Sequence, residues 1–125
     1  YTAIDSGIII TNYNTTPPGK ISYTVVKVWD DNNNPNRPTS ITVRLFKNSE
    51  KVEDIELNNS NWSYTWIDLD EYDEEGNLIQ YTAKELKNGS WGSKVVVEEG
   101  EKYNDDYTAH YLQEQNKTTI TNIIE

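Results

Sequence analysis

The chain has 125 residues, with 21 acidic against 11 basic side chains, one His and no Cys, for a formal charge of −10 at neutral pH. That size is one domain with room for an appendage, and the lack of Cys excludes disulfides, thiolate metal sites and a Cys nucleophile. The acidic balance works against a nucleic-acid partner and against anionic membrane surfaces, since both call for clustered Lys and Arg. No apolar run approaches the roughly 20 residues that cross a bilayer, so no membrane insertion is expected of this stretch. Tyr1 to Ser6 carries neither an initiator Met nor a basic leader, and the chain is expected to be a piece of a longer protein.

Residues 1–20 stand apart. An apolar run, Gly7 to Thr11, leads into Asn14-Thr15-Thr16-Pro17-Pro18-Gly19, which has the composition of an interdomain linker. An extended strand is expected around Gly7 to Tyr13, packed on a sheet edge or on a neighbouring molecule. Tyr1-Thr2-Ala3 followed by Ile10-Thr11-Asn12 echoes Tyr107-Thr108-Ala109 followed by Ile120-Thr121-Asn122. The echo makes residues 1–20 the end of a preceding repeat plus a linker, and residues 21–125 the domain proper; chance similarity of short Thr/Ile strands is the alternative.

Beyond the linker, apolar and polar residues alternate in short runs separated by Asn, Asp, Gly and Pro. This pattern predicts strands over Ile21 to Trp29, Ser40 to Lys47, Glu53 to Leu57, Trp62 to Ile67, Leu78 to Leu86, Lys94 to Glu98, Tyr107 to Leu112 and Thr118 to Ile124. One helical turn is suggested around Leu69 to Tyr72. The fold class is all-β, and so many short strands predict an antiparallel sandwich. The hydrophobic class is only 34% of the chain, but four Trp and nine Tyr bury enough area per residue for a core.

Several motifs resemble chemical sites without meeting their requirements. Asp30, Asn32, Asn34 and Asn36 alternate like calcium-loop ligands, but Pro35 stands where Gly is needed and Ile41 where the closing Glu belongs, so the stretch reads as a turn. The acidic run from Asp68 to Glu75 lacks ligand spacing and reads as solvated surface. With His110 the sole imidazole, neither a two-His metal site nor a relay with a second His can form, and a packing role is left. Alternation buries Trp62, Tyr64 and Trp66 together, against an exposed sugar platform.

Three polar groups fall where apolar ones belong. Lys27 sits in the series Tyr23, Val25, Lys27, Trp29, and pattern alone favours an edge-strand Lys whose stem packs while its ammonium reaches water. Asn122 shares a face with Ile120 and Ile124, and Glu85 with Ile79, Tyr81 and Ala83. A core-facing amide or carboxylate needs partners.

Taken in order, Val26-Lys27-Val28-Trp29-Asp30-Asp31, Arg37-Pro38-Thr39-Ser40-Ile41-Thr42-Val43, Trp62-Ser63-Tyr64-Thr65-Trp66-Ile67-Asp68-Leu69, Tyr81-Thr82-Ala83-Lys84-Glu85 and Thr119-Ile120-Thr121-Asn122 resemble the successive signatures of the collagen-adhesin B-type (Cna-B) repeat of Gram-positive surface proteins. The resemblance covers roughly residues 20–125. It departs over Lys87 to Lys102, where Ser90-Trp91-Gly92 replaces a usual Gly-Tyr pair. The resemblance implies a reverse immunoglobulin-like β-sandwich in which Lys27 and Asn122 form an intramolecular isopeptide bond assisted by Glu85. It further implies a stalk or spacer of a cell-wall-anchored adhesin or pilin, extracellular, turning over no substrate and requiring no cofactor. Its implied partners are neighbouring repeats, with host matrix protein or glycan engaged through other domains. A ligand-binding module using exposed aromatics, Trp91 foremost, is the rival reading.

Overall fold

The computed structural model describes residues 19–124; the expected strand around Gly7 to Tyr13 lies outside them. Eight strands follow one another: β1 (Lys20–Asp30), β2 (Ser40–Lys47), β3 (Glu50–Asn58), β4 (Ser63–Asp70), β5 (Tyr81–Asn88), β6 (Lys94–Val96), β7 (Tyr107–Glu114) and β8 (Lys117–Ile124). They form two four-stranded sheets, one ordered β4-β1-β8-β7 and the other β3-β2-β5-β6. The inward faces meet over Tyr23, Val25, Trp66 and Ile120 from the first sheet and Ile41, Val43, Leu45, Leu57, Tyr81 and Ala83 from the second. Period-two alternation places these residues on one side of each strand, and each aliphatic side chain so buried contributes about 1.5–3 kcal/mol.

The sandwich differs from the antiparallel expectation at its centre. β1 and β8 pair in parallel, from Thr24 opposite Lys117 to Asp30 opposite Ile123, while the remaining pairings are antiparallel. The chain therefore enters at one pole of the sandwich and leaves at the other. β1 is flanked on both sides, by β4 and β8, which overturns the edge-strand reading of Lys27.

Local departures have local causes. The turn predicted at Leu69 to Tyr72 is absent, because Leu69 and Asp70 continue β4 against Ile21 and Lys20. In β4, Asp68 adopts a left-handed backbone (φ 57) and makes a bulge, so Trp66 and Leu69, three residues apart, pair with Tyr23 and Ile21. Tyr64 is 40% exposed rather than buried with Trp66, because β4 is an edge strand with no described strand on its outer side. The strand predicted from Leu78 begins only at Tyr81: the carboxylate of Asp73 accepts from the backbone N–H groups of Glu75 and Asn77 and folds the preceding residues into a loop. Among the described residues the one helical element is a single 3-10 turn at Ser90–Gly92.

Leu45 is fully buried on the central strand β2. Leu45→Ala is expected to lower stability by about 2–5 kcal/mol, read as a lower midpoint in equilibrium denaturation with an unchanged denaturant slope.

Candidate functional site

The three polar misfits meet. Lys27 projects inward from β1, Asn122 from the adjacent β8, and Glu85 from β5 in the facing sheet. The parallel register sets Ile120 opposite Lys27 and Asn122 opposite Trp29, which places the carboxamide one inward position beyond the amine. Lys27 Nζ donates to Glu85 Oε1 at 2.6 Å, and Asn122 Nδ2 donates to the same oxygen at 3.2 Å. The side chains of Lys27 and Glu85 are both fully shielded, and Asn122 is 0% exposed.

Glu85 is aimed by its own backbone. Its N–H donates to the Tyr111 hydroxyl at 3.1 Å, and its carbonyl accepts from the N–H of Val97 at 3.0 Å. The Tyr111 hydroxyl in turn donates a hydrogen bond to the carbonyl of Val97. With both backbone groups held, the carboxylate points across the sandwich toward β1 and β8. Aromatic rings close the remaining space: Lys27 Nζ lies 4.3 Å from the Trp29 ring centre and 5.7 Å from that of Tyr103.

Burial dominates the electrostatics. It lowers the Lys27 ammonium to about 8, against the opposing attraction of Glu85, and it pushes the Glu85 carboxyl up against the pull of Lys27 and Asn122. Both groups are thus drawn toward their uncharged forms. Among the described residues, Glu85 Oε2, Asn122 Oδ1 and Trp29 Nε1 are buried without a hydrogen-bond partner. An acid proton on Glu85 and a carbonyl acceptor on Asn122 are complementary, and the ionised carboxylate uses neither. The arrangement can hold a neutral amine, a neutral acid and an amide together in a dry pocket.

Lys27, Asn122 and Glu85 were visible in the sequence as misplaced polar residues. Trp29 was visible as a neighbour on the face of Lys27, whereas Tyr103 and Tyr111 were not, since an inward aromatic carries no mark of the pocket it lines. The Asp30 to Asn36 stretch is a turn as expected, with Asn32 and Asn33 left-handed (φ 54 and 57). Its neighbour Asp31, to which no role was assigned, is buried and paired with Arg37. His110 Nδ1 lies 2.7 Å from Glu99 Oε2, and in the acidic run Asp70 pairs with Lys20. Trp91 is fully exposed.

Residues 23–123 match the sequence pattern of the Cna protein B-type domain. The collagen adhesin of Staphylococcus aureus is 42% identical over 90 residues, which cover 69% of this chain and only 7% of that protein. The crystal structure of a single B repeat unit of the collagen-binding surface protein of S. aureus superposes with a TM-score of 0.66 at 36% identity, covering 86% of this chain and 51% of that one. A structure of two such repeats gives 0.67 at 35% identity, covering 86% of this chain and 26% of that one. The pilus backbone of Streptococcus pneumoniae shares the fold alone, with a TM-score of 0.54 at 17% identity over 87% of this chain and 36% of that one.

Removing the amine tests the electrostatics of the pocket. Lys27→Met leaves Glu85 without its cation and is expected to destabilise by about 3–5 kcal/mol at neutral pH relative to the chain that carries the free amine. Glu85 then keeps its proton in the fold where the unfolded chain, with the ordinary value of 4.5, releases it. The folded state binds more protons, so stability should fall as pH rises above 4.5. Adding Glu85→Gln should abolish that slope in denaturation curves taken across the pH range.

Proposed function

The chain belongs to the family of Cna protein B-type domains, and from that premise we propose that it is a stalk or spacer module of a bacterial cell-surface adhesin or pilus, matured by a self-formed amide between Lys27 and Asn122. The observation that carries this reading is the shared Glu85 oxygen, 2.6 Å from the amine and 3.2 Å from the carboxamide nitrogen in a fully buried pocket.

Moving one proton along the short contact from Lys27 to Glu85 converts the ion pair into a neutral amine and a neutral acid with no change in total protonation. The amine Nζ attacks Asn122 Cγ while the Glu85 acid donates toward Oδ1, drawing electrons from the carbon. Collapse breaks the bond from Cγ to Nδ2. The nitrogen leaves as ammonia with a proton shuttled by Glu85, and the carboxyl is regenerated. The fold supplies proximity, turning a bimolecular reaction into an intramolecular one. The product carries no charge, so the penalty for burying an ammonium disappears.

A link across β1 and β8 closes nearly the whole domain. By analogy with disulfides, a loop of about 100 residues corresponds to ~4.7 kcal/mol of lost chain entropy in the unfolded state. Because these strands are parallel neighbours whose outer ends face opposite poles, tension along the chain would shear them, and a covalent tie carries that load past the hydrogen bonds. Residues 1–20 fit this picture as the end of a preceding repeat plus linker, neighbouring repeats being the immediate partners. Cell-surface placement and matrix protein or glycan contacts made through other domains follow from the same reading. The chemistry is a single turnover, so the domain is not an enzyme.

A second reading has one observation in its favour. Trp91 stands fully exposed with a left-handed backbone (φ 60) in the Ser90–Gly92 turn, as a contact residue for glycan or matrix protein would. Binding to a glycan or matrix-protein panel that is lost in Trp91→Ala would support it, whereas no binding by either form favours the stalk.

Intact mass is the direct test of the bond. The folded wild-type chain should be lighter than its sequence by one ammonia, Lys27→Ala and Asn122→Ala should keep their full mass, and Glu85→Ala should stop or greatly slow the loss. An unchanged wild-type mass would falsify the bond. Since the reactive pair holds one proton, the rate should also be bell-shaped in pH, falling on the alkaline side near 8 as Lys27 and Glu85 lose that proton. A rate that keeps climbing through that region would mean that amine deprotonation alone matters and that Glu85 is no acid.

A further inference from the structure

Asp31 follows the last residue of β1, yet its side chain is fully shielded while that of its partner Arg37 remains 29% exposed. Both carboxylate oxygens are engaged: Arg37 Nη2 donates to Oδ1 at 2.5 Å, Arg37 Nε to Oδ2 at 2.8 Å, and the Tyr107 hydroxyl to Oδ2 at 2.7 Å. The Tyr107 oxygen also accepts from Asn34 Nδ2 at 3.2 Å. A two-pronged guanidinium contact plus a phenol leaves this carboxylate one orientation.

The network ends against the reaction pocket. The Tyr107 ring meets Trp29 edge to face, with centres 5.0 Å apart, and Trp62 does the same from another side at 5.4 Å. The Arg37 guanidinium carbon lies 5.8 Å from the same indole. Trp29 stands opposite Asn122 in the parallel register, with its face on the Lys27 amine. Its indole N–H has no partner among the described residues, so no polar contact of its own fixes the ring. Besides its packing on the core, its placement over Lys27 is held by Tyr107, Trp62 and Arg37, and two of those three are held by Asp31.

We propose that Asp31, held by Arg37 and Tyr107, is a positioning residue for the Lys27–Asn122 reaction: it fixes the aromatic wall that keeps water from the amine and presses the amine onto Glu85. The inference rests on the amide-forming reading above. Replacing a buried ion pair by apolar residues is often neutral or stabilising, so stability alone does not account for a shielded carboxylate at the mouth of this pocket.

The other titratable groups around the amine and the acid stay in one state over the relevant range. Arg37 holds the Asp31 carboxyl far below the usual carboxylate range. Burial pushes the phenols of Tyr103, Tyr107 and Tyr111 up. His110 projects from the opposite face of β7 and meets Glu99. The limbs of the rate profile accordingly belong to Lys27 and Glu85.

The test keeps the full chain unfolded in denaturant from synthesis onward, dilutes it into buffers across the pH range, and follows the loss of one ammonia by intact mass. Asp31→Asn keeps the side chain's shape but loosens the Arg37 and Tyr107 contacts. Water then reaches the pocket, favours the ion pair over the neutral pair and restores both groups toward their ordinary values. The expected result is a plateau about tenfold to a hundredfold lower and a bell that is broader on both limbs. Tyr107→Phe removes only the hydroxyl and should give a smaller change of the same kind, and Arg37→Lys should retain part of the wild-type rate where Arg37→Gln does not. A purely structural role would lower the yield of folded protein equally at every pH and leave the shape of the bell unchanged; that result overturns the inference, as does an unaltered rate. If Asp31→Asn fails to fold by near-ultraviolet circular dichroism, Tyr107→Phe decides by the same criterion. A wild-type chain that keeps its full mass would remove the reaction itself and this inference with it. A reactive wild type beside variants with an unchanged profile removes the inference alone.

Discussion

One carboxylate oxygen shared by an amine and a carboxamide, sealed between two sheets, is the constraint around which this domain is organised. In an apolar interior such a cluster is poorly tolerated as an ion pair, because removing two charges from water costs more than their attraction returns unless every polar atom is satisfied. Here it is not: one oxygen of Glu85 and the carbonyl oxygen of Asn122 lack partners among the described residues. The pocket is better suited to uncharged groups than to the ions it nominally contains. On the proposed chemistry that mismatch is the driving condition, since the amide that replaces the amine is neutral and permanent.

The topology gives the cluster its consequences. Lys27 and Asn122 lie far apart in sequence but on adjacent, parallel, central strands that open and close the domain. A bond at that place ties the first strand to the last, where a chain pulled from its two ends would otherwise shear. A small β-sandwich without disulfides has few other ways to constrain its unfolded state. The facing sheet contributes only Glu85, whose backbone N–H is held by Tyr111 from β7 across the sandwich and whose carbonyl is held by Val97, so the acid is presented by a rigid element rather than by a loop.

Trp29, Tyr103 and Tyr111 line the cluster beside aliphatic neighbours such as Val43 and Ile120, and a second buried carboxylate, Asp31, reaches Trp29 through Tyr107 and Arg37. Two buried carboxylates thus have opposite environments. Asp31 is met by three donors and stays ionised; Glu85 faces one amine and one amide and is drawn toward its acid form. The numbers and charges of their donors, rather than burial alone, separate their behaviour.

Much of this was written in the amino-acid order. Period-two alternation located the strands, Asn and Asp clusters located the turns, and the polar residues at 27, 85 and 122 stood out because they broke an apolar series. Periodicity, however, states which of two faces a side chain takes and is silent on what lies beside the strand. Whether β1 was an edge or a centre decided whether Lys27 reached water, and the same ignorance misplaced Tyr64, which lies inward yet exposed at an edge. The parallel pairing of β1 with β8, the meeting of three misfits at one oxygen, and the link from Asp31 to Trp29 were likewise decided only by the tertiary structure. They depend on strand order and register between segments up to a hundred or so residues apart, and no local pattern of side chains encodes those.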